Sequence, residues 1–86
     1  MKVEFSDDGR EDFLKLERQL QVFFKNHLQK LLEMPPRRHL SFGVPHHVED
    51  VTRQARLVYD IQEDTLFVIH CFSSHKEYEK WYKSYK

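Results

Sequence analysis

Arg56, His75 and Tyr78 are the residues whose chemistry and spacing first suggest a site. If residues 56–61 and 66–72 are two strands of a hairpin turning at Glu63-Asp64, Arg56 pairs near Cys71 and His75 follows just beyond the second strand. Both side chains, with Tyr78, then lie at one end of a sheet.

Such a trio suits metal-free RNA cleavage. In that reaction the ribose 2′-hydroxyl attacks the adjacent phosphate, which requires a base, an acid and a cation for the added charge. A guanidinium binds phosphate with a planar fork, and an imidazole can give or take a proton near neutral pH. The residue types alone favour a plainer reading, in which Arg56 is a solvated strand-end charge and His75 a loop residue.

Other chemistries have less support. The sequence has six His but one Cys. The neighbours His46 and His47 would point to opposite faces of a strand, so they do not readily share an ion. No nucleophile elbow or phosphate-binding glycine loop is present. We expect no metal and no cofactor, and we expect His27 and Cys71 to be packing residues.

The first half of the chain predicts a short strand over residues 1–5 and then helix. Ser6 or Asp8 could cap the helix, and residues 11–34 contain no Gly or Pro. Apolar residues recur there at steps of three and four, as on one face of a helix. The stretch is either one helix of about six turns or two helices hinged near residues 18–21, and Pro35-Pro36 ends it.

The second half predicts strands. Residues 48–51 and 56–61 are candidates, residues 62–65 form a turn, and residues 66–72 suit a central strand buried on both faces. Residues 73–86 are a short helix beginning at Ser73 or Ser74, or a tail. The sequence therefore predicts one α+β domain over residues 1–86: an N-terminal strand, one helix or a helical hairpin, then a three-stranded antiparallel sheet with helix packed on one face.

The charges balance, with 14 Lys+Arg against 14 Asp+Glu. Residues 35–56 nevertheless hold four basic and two acidic side chains. The candidates for substrate binding in this segment are therefore Arg38, Arg53, His39 and His47. With no net charge on the chain, the long-range electrostatic attraction of RNA phosphates would be weak. With no long apolar run and no Cys pair, we expect a cytoplasmic protein that does not enter a membrane.

The order of these elements, together with particular residues, resembles the RelE/ParE toxin superfamily, most closely its YoeB-like and YafQ-like ribonuclease branches. The most specific match is Arg56-Leu57-Val58-Tyr59-Asp60-Ile61, followed by Asp64-Thr65-Leu66 and a hydrophobic strand. Residues 5–8 with 12–14, residues 32–35, and Ser74-His75 with Tyr78 are similar to further family elements. The resemblance covers nearly the whole chain.

The resemblance implies the toxin of a type II toxin-antitoxin system, which enters the ribosome, cleaves mRNA there and is held inactive by an antitoxin. It also implies roles for single residues. Arg56 would stabilise the phosphate, His75 would act as general acid or base, and Tyr78 would orient or stack on a base.

Departures from the family pattern leave alternatives open. The strand before Arg56 carries Glu49 and Asp50 where some relatives have basic residues, so Glu49 is a candidate general base, and His39 is the alternative. The same acidic residues keep open an inactive domain that only binds a partner. A non-catalytic gyrase inhibitor of the ParE type is the other alternative, and a homodimer also stays open.

Overall fold

A single mixed sheet organises the computed structural model, which describes residues 2–33 and 46–84. The strand order is β1-β4-β3-β2, with β1 parallel to β4 and the other pairs antiparallel. The strands are β1 (Lys2–Phe5), β2 (His47–Asp50), β3 (Arg56–Gln62) and β4 (Thr65–Phe72). The helices are α1 (Asp7–Lys15), α2 (Arg18–Glu33) and α3 (His75–Lys83). The predicted α+β fold is confirmed, with the N-terminal strand added to the antiparallel sheet as a fourth, parallel strand.

The helical stretch is two helices, which break just before the predicted hinge. Leu16 adopts extended backbone, and its N–H donates to the Phe13 carbonyl at 3.1 Å. The side-chain amide of Gln21 donates to the same carbonyl at 3.0 Å. Leu16 is buried in the core, so the turn is held by one apolar anchor and by bonds that satisfy the end of α1.

Ser6 rather than Asp8 is the N-cap of α1. Its hydroxyl oxygen accepts from the Gly9 N–H at 2.9 Å and donates to the Ile69 carbonyl at 3.1 Å. Its own N–H donates to the Val68 carbonyl at 2.9 Å. One residue therefore begins the helix and fixes it to the central strand.

The β3–β4 hairpin has the predicted turn but a shifted register. Near the turn, Gln62 pairs with Thr65 and Tyr59 pairs with Val68. Beyond Tyr59 the register shifts by one residue of β4, so that Arg56 lies opposite Phe72. The expected partner, Cys71, pairs instead with Leu57. The shift arises because Ile69 is an extra residue in β4, a β-bulge that the spacing alone does not reveal.

Helices cover both faces of the sheet, whereas the sequence predicted helix on one face. Buried residues of α2 pack with Leu57, Tyr59, Leu66, Val68 and Cys71 on one side. On the other side, Tyr78 and Tyr82 of α3 pack with Val58, Ile69 and Phe72. The burial of β4 on both faces is thus confirmed, and the last segment is a helix capped by Ser74.

Cys71 is a buried residue of the core, as expected, with 4% of its surface exposed. Burial, with a smaller contribution from the charge of Asp12, raises the pKa of its thiol to about 12. The thiol therefore stays protonated near neutral pH, which removes the reactive thiolate form. No helix within residues 2–33 and 46–84 is long and apolar enough to cross a membrane.

Replacement of Gly9 by Ala should destabilise the fold. A Cβ at this position would clash with the Val68 carbonyl oxygen, which already accepts the Ser6 N–H and so cannot move aside. We expect a loss of about 2 kcal/mol or more in the free energy of unfolding, measured by chemical denaturation. Glu11→Ala, on the exposed side of the same helix, is the matched control and should change stability little. Equal stability of both variants would contradict the close approach of α1 to β4.

Candidate active site

Arg56 and His75 meet where β3 begins and α3 begins. The start of β3 and the end of β4 lie at the same end of the sheet because the two strands are antiparallel. Residue 75 follows β4 after two residues, and its Nδ1 lies 3.5 Å from Nη2 of Arg56. The structure therefore brings these two predicted site residues together.

The guanidinium of Arg56 is held rigidly by the turn before β3. Its Nη1 donates to the carbonyls of Thr52, Arg53 and Ala55 at 3.0 to 3.1 Å. The turn is itself fixed, because the Thr52 hydroxyl oxygen accepts from the N–H groups of Gln54 and Ala55. Only 13% of the Arg56 side chain is exposed. The site therefore contains a preorganised cation, unlike a mobile surface arginine.

His75 is fixed as the first residue of α3. The preceding Ser74 caps the helix by accepting from the Glu77 N–H at 3.2 Å. The backbone N–H of His75 faces the side-chain oxygen of Gln54 at 3.4 Å, which links the helix to the turn. Because a guanidinium has only donors, the ring nitrogen facing Arg56 must offer its lone pair, and the neutral ring carries its proton on Nε2.

Asp50 is the site residue that sequence reasoning did not select. It lies directly opposite Arg56 in the β2–β3 pair, and its Oδ1 is 3.0 Å from Nε of Arg56. Its side chain is 74% exposed. An acidic and a basic residue opposite each other on two antiparallel strands predict an ion pair, but this prediction requires the β2–β3 register, which the sequence does not give.

Glu49, one of the two candidates for the general base, is not brought to Arg56. Adjacent residues of a strand point to opposite faces, and Glu49 pairs with Leu57 on the face covered by α2. There its Oε2 lies 3.4 Å from Nε2 of His27, a half-buried residue as expected. The burial of Tyr59, with a smaller contribution from the charge of Glu49, raises the pKa of the tyrosine to about 12.

His47 is also on the α2 face, where its ring stacks on Tyr59 at 5.1 Å. Arg53 is exposed in the turn that holds the guanidinium, so it remains near the site. Arg38 and His39 lie outside the described residues. Of the predicted substrate-binding residues that the structure describes, Arg53 alone is therefore next to Arg56.

Tyr78 lies beside His75 but is packed inside the protein. The two rings are 5.9 Å apart, and Tyr78 is 2% exposed. Its ring contacts Phe72, Trp81 and Tyr82. The predicted stacking of Tyr78 on a base is not supported by this placement, since neither face of the ring is open to a ligand.

The remaining histidines are paired with carboxylates. Nδ1 of His46 lies 2.7 Å from Asp60, and Nδ1 of His70 lies 2.8 Å from Asp12. Among residues 2–33 and 46–84, no group of three or more His, Cys, Asp or Glu side chains is arranged to hold a metal ion. Within the part of the chain that the structure describes, each histidine other than His75 is thus paired with a carboxylate or stacked on another ring.

The fold is similar to several solved toxin structures. The toxin-antitoxin complex RelBE of Escherichia coli includes a chain that is 25% identical, with a TM-score of 0.70, over 81% of this chain and 92% of that one. The isolated E. coli RelE toxin is 22% identical, with a TM-score of 0.74, over 99% and 98% of the two chains. A YoeB/ParE toxin from Agrobacterium tumefaciens is 16% identical, with a TM-score of 0.68, over 83% and 95%.

No protein-family model matches the sequence, and no curated protein matches it. The structural likeness nevertheless spans nearly the whole of both chains. The resemblance to the RelE/ParE toxin superfamily is confirmed, and the chain has the RelE-like fold.

Replacement of Tyr78 by Phe should leave stability unchanged or raise it by about 1 kcal/mol. The Tyr78 hydroxyl is buried and finds no hydrogen-bond partner within the described part of the chain, so its removal relieves an unpaired polar group. Tyr78→Ala should instead cost about 3 to 5 kcal/mol, because it leaves a cavity. Thermal and chemical denaturation measure both effects. A large loss of stability in the Phe variant would show that the hydroxyl is bonded.

Proposed function

We propose that this protein is the toxin of a type II toxin-antitoxin system and a metal-independent endoribonuclease that cleaves mRNA at the ribosome. The observation that carries the proposal is the contact between a largely enclosed arginine, held by the turn before β3, and a histidine, 3.5 Å apart at one end of a RelE-like sheet. The structural neighbours are toxins, and one is a toxin-antitoxin complex.

The chemistry follows from the two groups. The ribose 2′-oxygen forms a bond to phosphorus, the bond from phosphorus to the 5′-oxygen breaks, and a 2′,3′-cyclic phosphate and a 5′-hydroxyl result. Arg56 stabilises the extra negative charge on the phosphate oxygens, and its fixed position means that no reorganisation is needed as this charge develops. His75 takes the proton from the 2′-hydroxyl or gives one to the leaving oxygen.

Loss of Arg56 should lower the rate of mRNA cleavage strongly. We expect Arg56→Ala to lower the cleavage rate about 100- to 1,000-fold, because a preorganised donor to the developing charge is lost. Arg56→Lys keeps the charge but loses the fork, so it should restore the rate only in part. The assay is cleavage of mRNA bound to purified ribosomes, mapped by primer extension, with His75→Ala tested in parallel.

A second candidate is an inactive RelE-like domain that only binds a partner. It is favoured by the Asp50 carboxylate, which neutralises Arg56, and by the zero net charge of the chain. If the wild-type protein leaves ribosome-bound mRNA uncut at every concentration, the inactive domain is the correct candidate. A growth defect that persists in an Arg56→Ala, His75→Ala double variant, with gyrase inhibited, would instead indicate a ParE-type inhibitor.

We also propose that an antitoxin binds an apolar groove on the opposite edge of the sheet. The groove, of about 440 Å³, lies between β1 and the helical hairpin and is lined mainly by apolar side chains: Val3, Phe5, Phe13, Leu14, Leu28 and Leu32. Leu14 is 68% exposed and Phe5 38%. Arg10 and Lys25 also line it, so the complementary segment is amphipathic and acidic. A homodimer stays a prediction.

Replacement of Leu14 by Glu should weaken antitoxin binding at least about tenfold and leave RNA cleavage unchanged, because the groove is away from Arg56 and His75. The ligand to test is a small acidic protein encoded directly upstream or downstream of this gene, and calorimetry measures its affinity. Val22→Glu is the matched control, since Val22 is an exposed apolar residue of α2 outside the groove. Equal effects of the two variants would place the antitoxin elsewhere.

A further inference from the structure

The N–H groups of Arg56 define one direction from which an anion can bind. A guanidinium binds a phosphate or carboxylate with two parallel N–H groups at one edge of its fork. Nη1 is committed to three backbone carbonyls of the turn. The edge formed by Nε and Nη2 is therefore the edge left for an incoming oxyanion.

Asp50 already holds half of that edge. Its Oδ1 lies 3.0 Å from Nε, while Nη2 faces the lone pair of His75 at 3.5 Å. A phosphate that bonds to Nε and Nη2 would need the space that this carboxylate occupies. The carboxylate is chemically similar to one side of a phosphate: it is anionic and accepts the same N–H.

The two partners of this ion pair differ in how firmly they are held. Arg56 is almost enclosed, whereas the Asp50 side chain is 74% exposed at the end of the edge strand β2. Asp50 can rotate into solvent, but Arg56 cannot follow it without losing its bonds to the turn. Solvent screening weakens such a pair, so a stronger anion can displace the carboxylate.

We propose that Asp50 is a built-in competitor for the phosphate at Arg56, and that it sets how tightly the site binds an oxyanion. The proposal deepens the ribonuclease function, on which its choice of RNA as ligand rests. In the free protein Asp50 occupies the anion position and neutralises the cation. When a phosphate binds, Asp50 leaves Nε and lies close to the bound anion, so its charge opposes binding in both states.

The role differs from that of a general base. A base must lie beside the 2′-hydroxyl while Arg56 holds the phosphate, whereas Asp50 is bonded to the arginine itself. Removal of a base lowers the rate and leaves binding unchanged. Removal of a competitor increases binding.

The test measures binding of a short single-stranded RNA whose riboses are 2′-O-methylated and which therefore cannot be cleaved. We expect Asp50→Asn to tighten its binding about fivefold in fluorescence anisotropy at fixed ionic strength. Asp50→Ser, which is too short to reach Nε, should show the same gain. Combination of either change with Arg56→Gln should abolish the gain.

Glu4→Gln is the matched control for net charge. Glu4 is exposed on β1, at the edge of the sheet opposite β2, so its loss changes the net charge by the same amount far from Arg56. An equal gain in Asp50→Asn and Glu4→Gln would overturn the proposal, because it would show a general charge effect. Unchanged or weaker binding in both Asp50 variants would overturn it as well.

A second titration separates this proposal from the ribonuclease function. Inorganic phosphate is added while the Nε–Hε resonance of Arg56 is followed by NMR. A response at lower phosphate concentration in Asp50→Asn supports the competition even if the wild-type protein cuts no RNA. A gain for RNA without one for inorganic phosphate supports competition with a phosphodiester specifically, and a gain for neither ligand overturns the proposal.

Discussion

The hydrogen-bonded pairing of β4 is the constraint on which the other elements depend. This strand pairs with β1 on one edge and β3 on the other, and helices pack on both of its faces. Beyond the end of β1, residues of α1 and its N-cap bond to the free edge of β4. Ser6 donates to the carbonyls of Val68 and Ile69, and Asp12 accepts the Cys71 N–H at 3.2 Å. The strand therefore keeps its backbone groups satisfied beyond the end of its neighbour.

The single bulge at Ile69 determines which chemical groups meet. Without it, Arg56 would pair with Cys71, and residues beyond the bulge would lie one position out of register with β3. With it, Val58 and His70 form a pair, and Leu57 and Cys71 both face the α2 side. Adjacent side chains of β2 point to opposite faces of the sheet, so Glu49 contacts His27 and Asp50 contacts Arg56. Neighbouring carboxylates thus have unrelated roles.

The sequence predicts the order of elements, the hairpin turn and the meeting of Arg56 with His75, because these depend on local patterns and on chain direction. It does not predict the choice between Glu49 and Asp50, which depends on the register of a four-residue strand. Nor does it predict that Tyr78 is enclosed, because the sequence leaves open whether residues 73–86 are a helix or a tail. Once the segment is a helix, Tyr78 and Tyr82 lie one turn apart on the face that packs against the sheet. The break at Leu16 lacks Gly or Pro, the usual signals, and becomes visible only through tertiary packing.

Because β1 pairs with β4, the two sides of the molecule differ in the sequence separation of the residues that contact each other. Lys2 lies opposite Thr65, so the groove side of the sheet joins residues 63 positions apart. The Arg56 side is built from β2, β3, β4 and α3, which follow one another in the sequence. Contacts between distant residues form slowly, because the intervening loop must first be closed. During folding, the surface that holds Arg56 and His75 can therefore assemble before the surface at which we propose that an antitoxin binds.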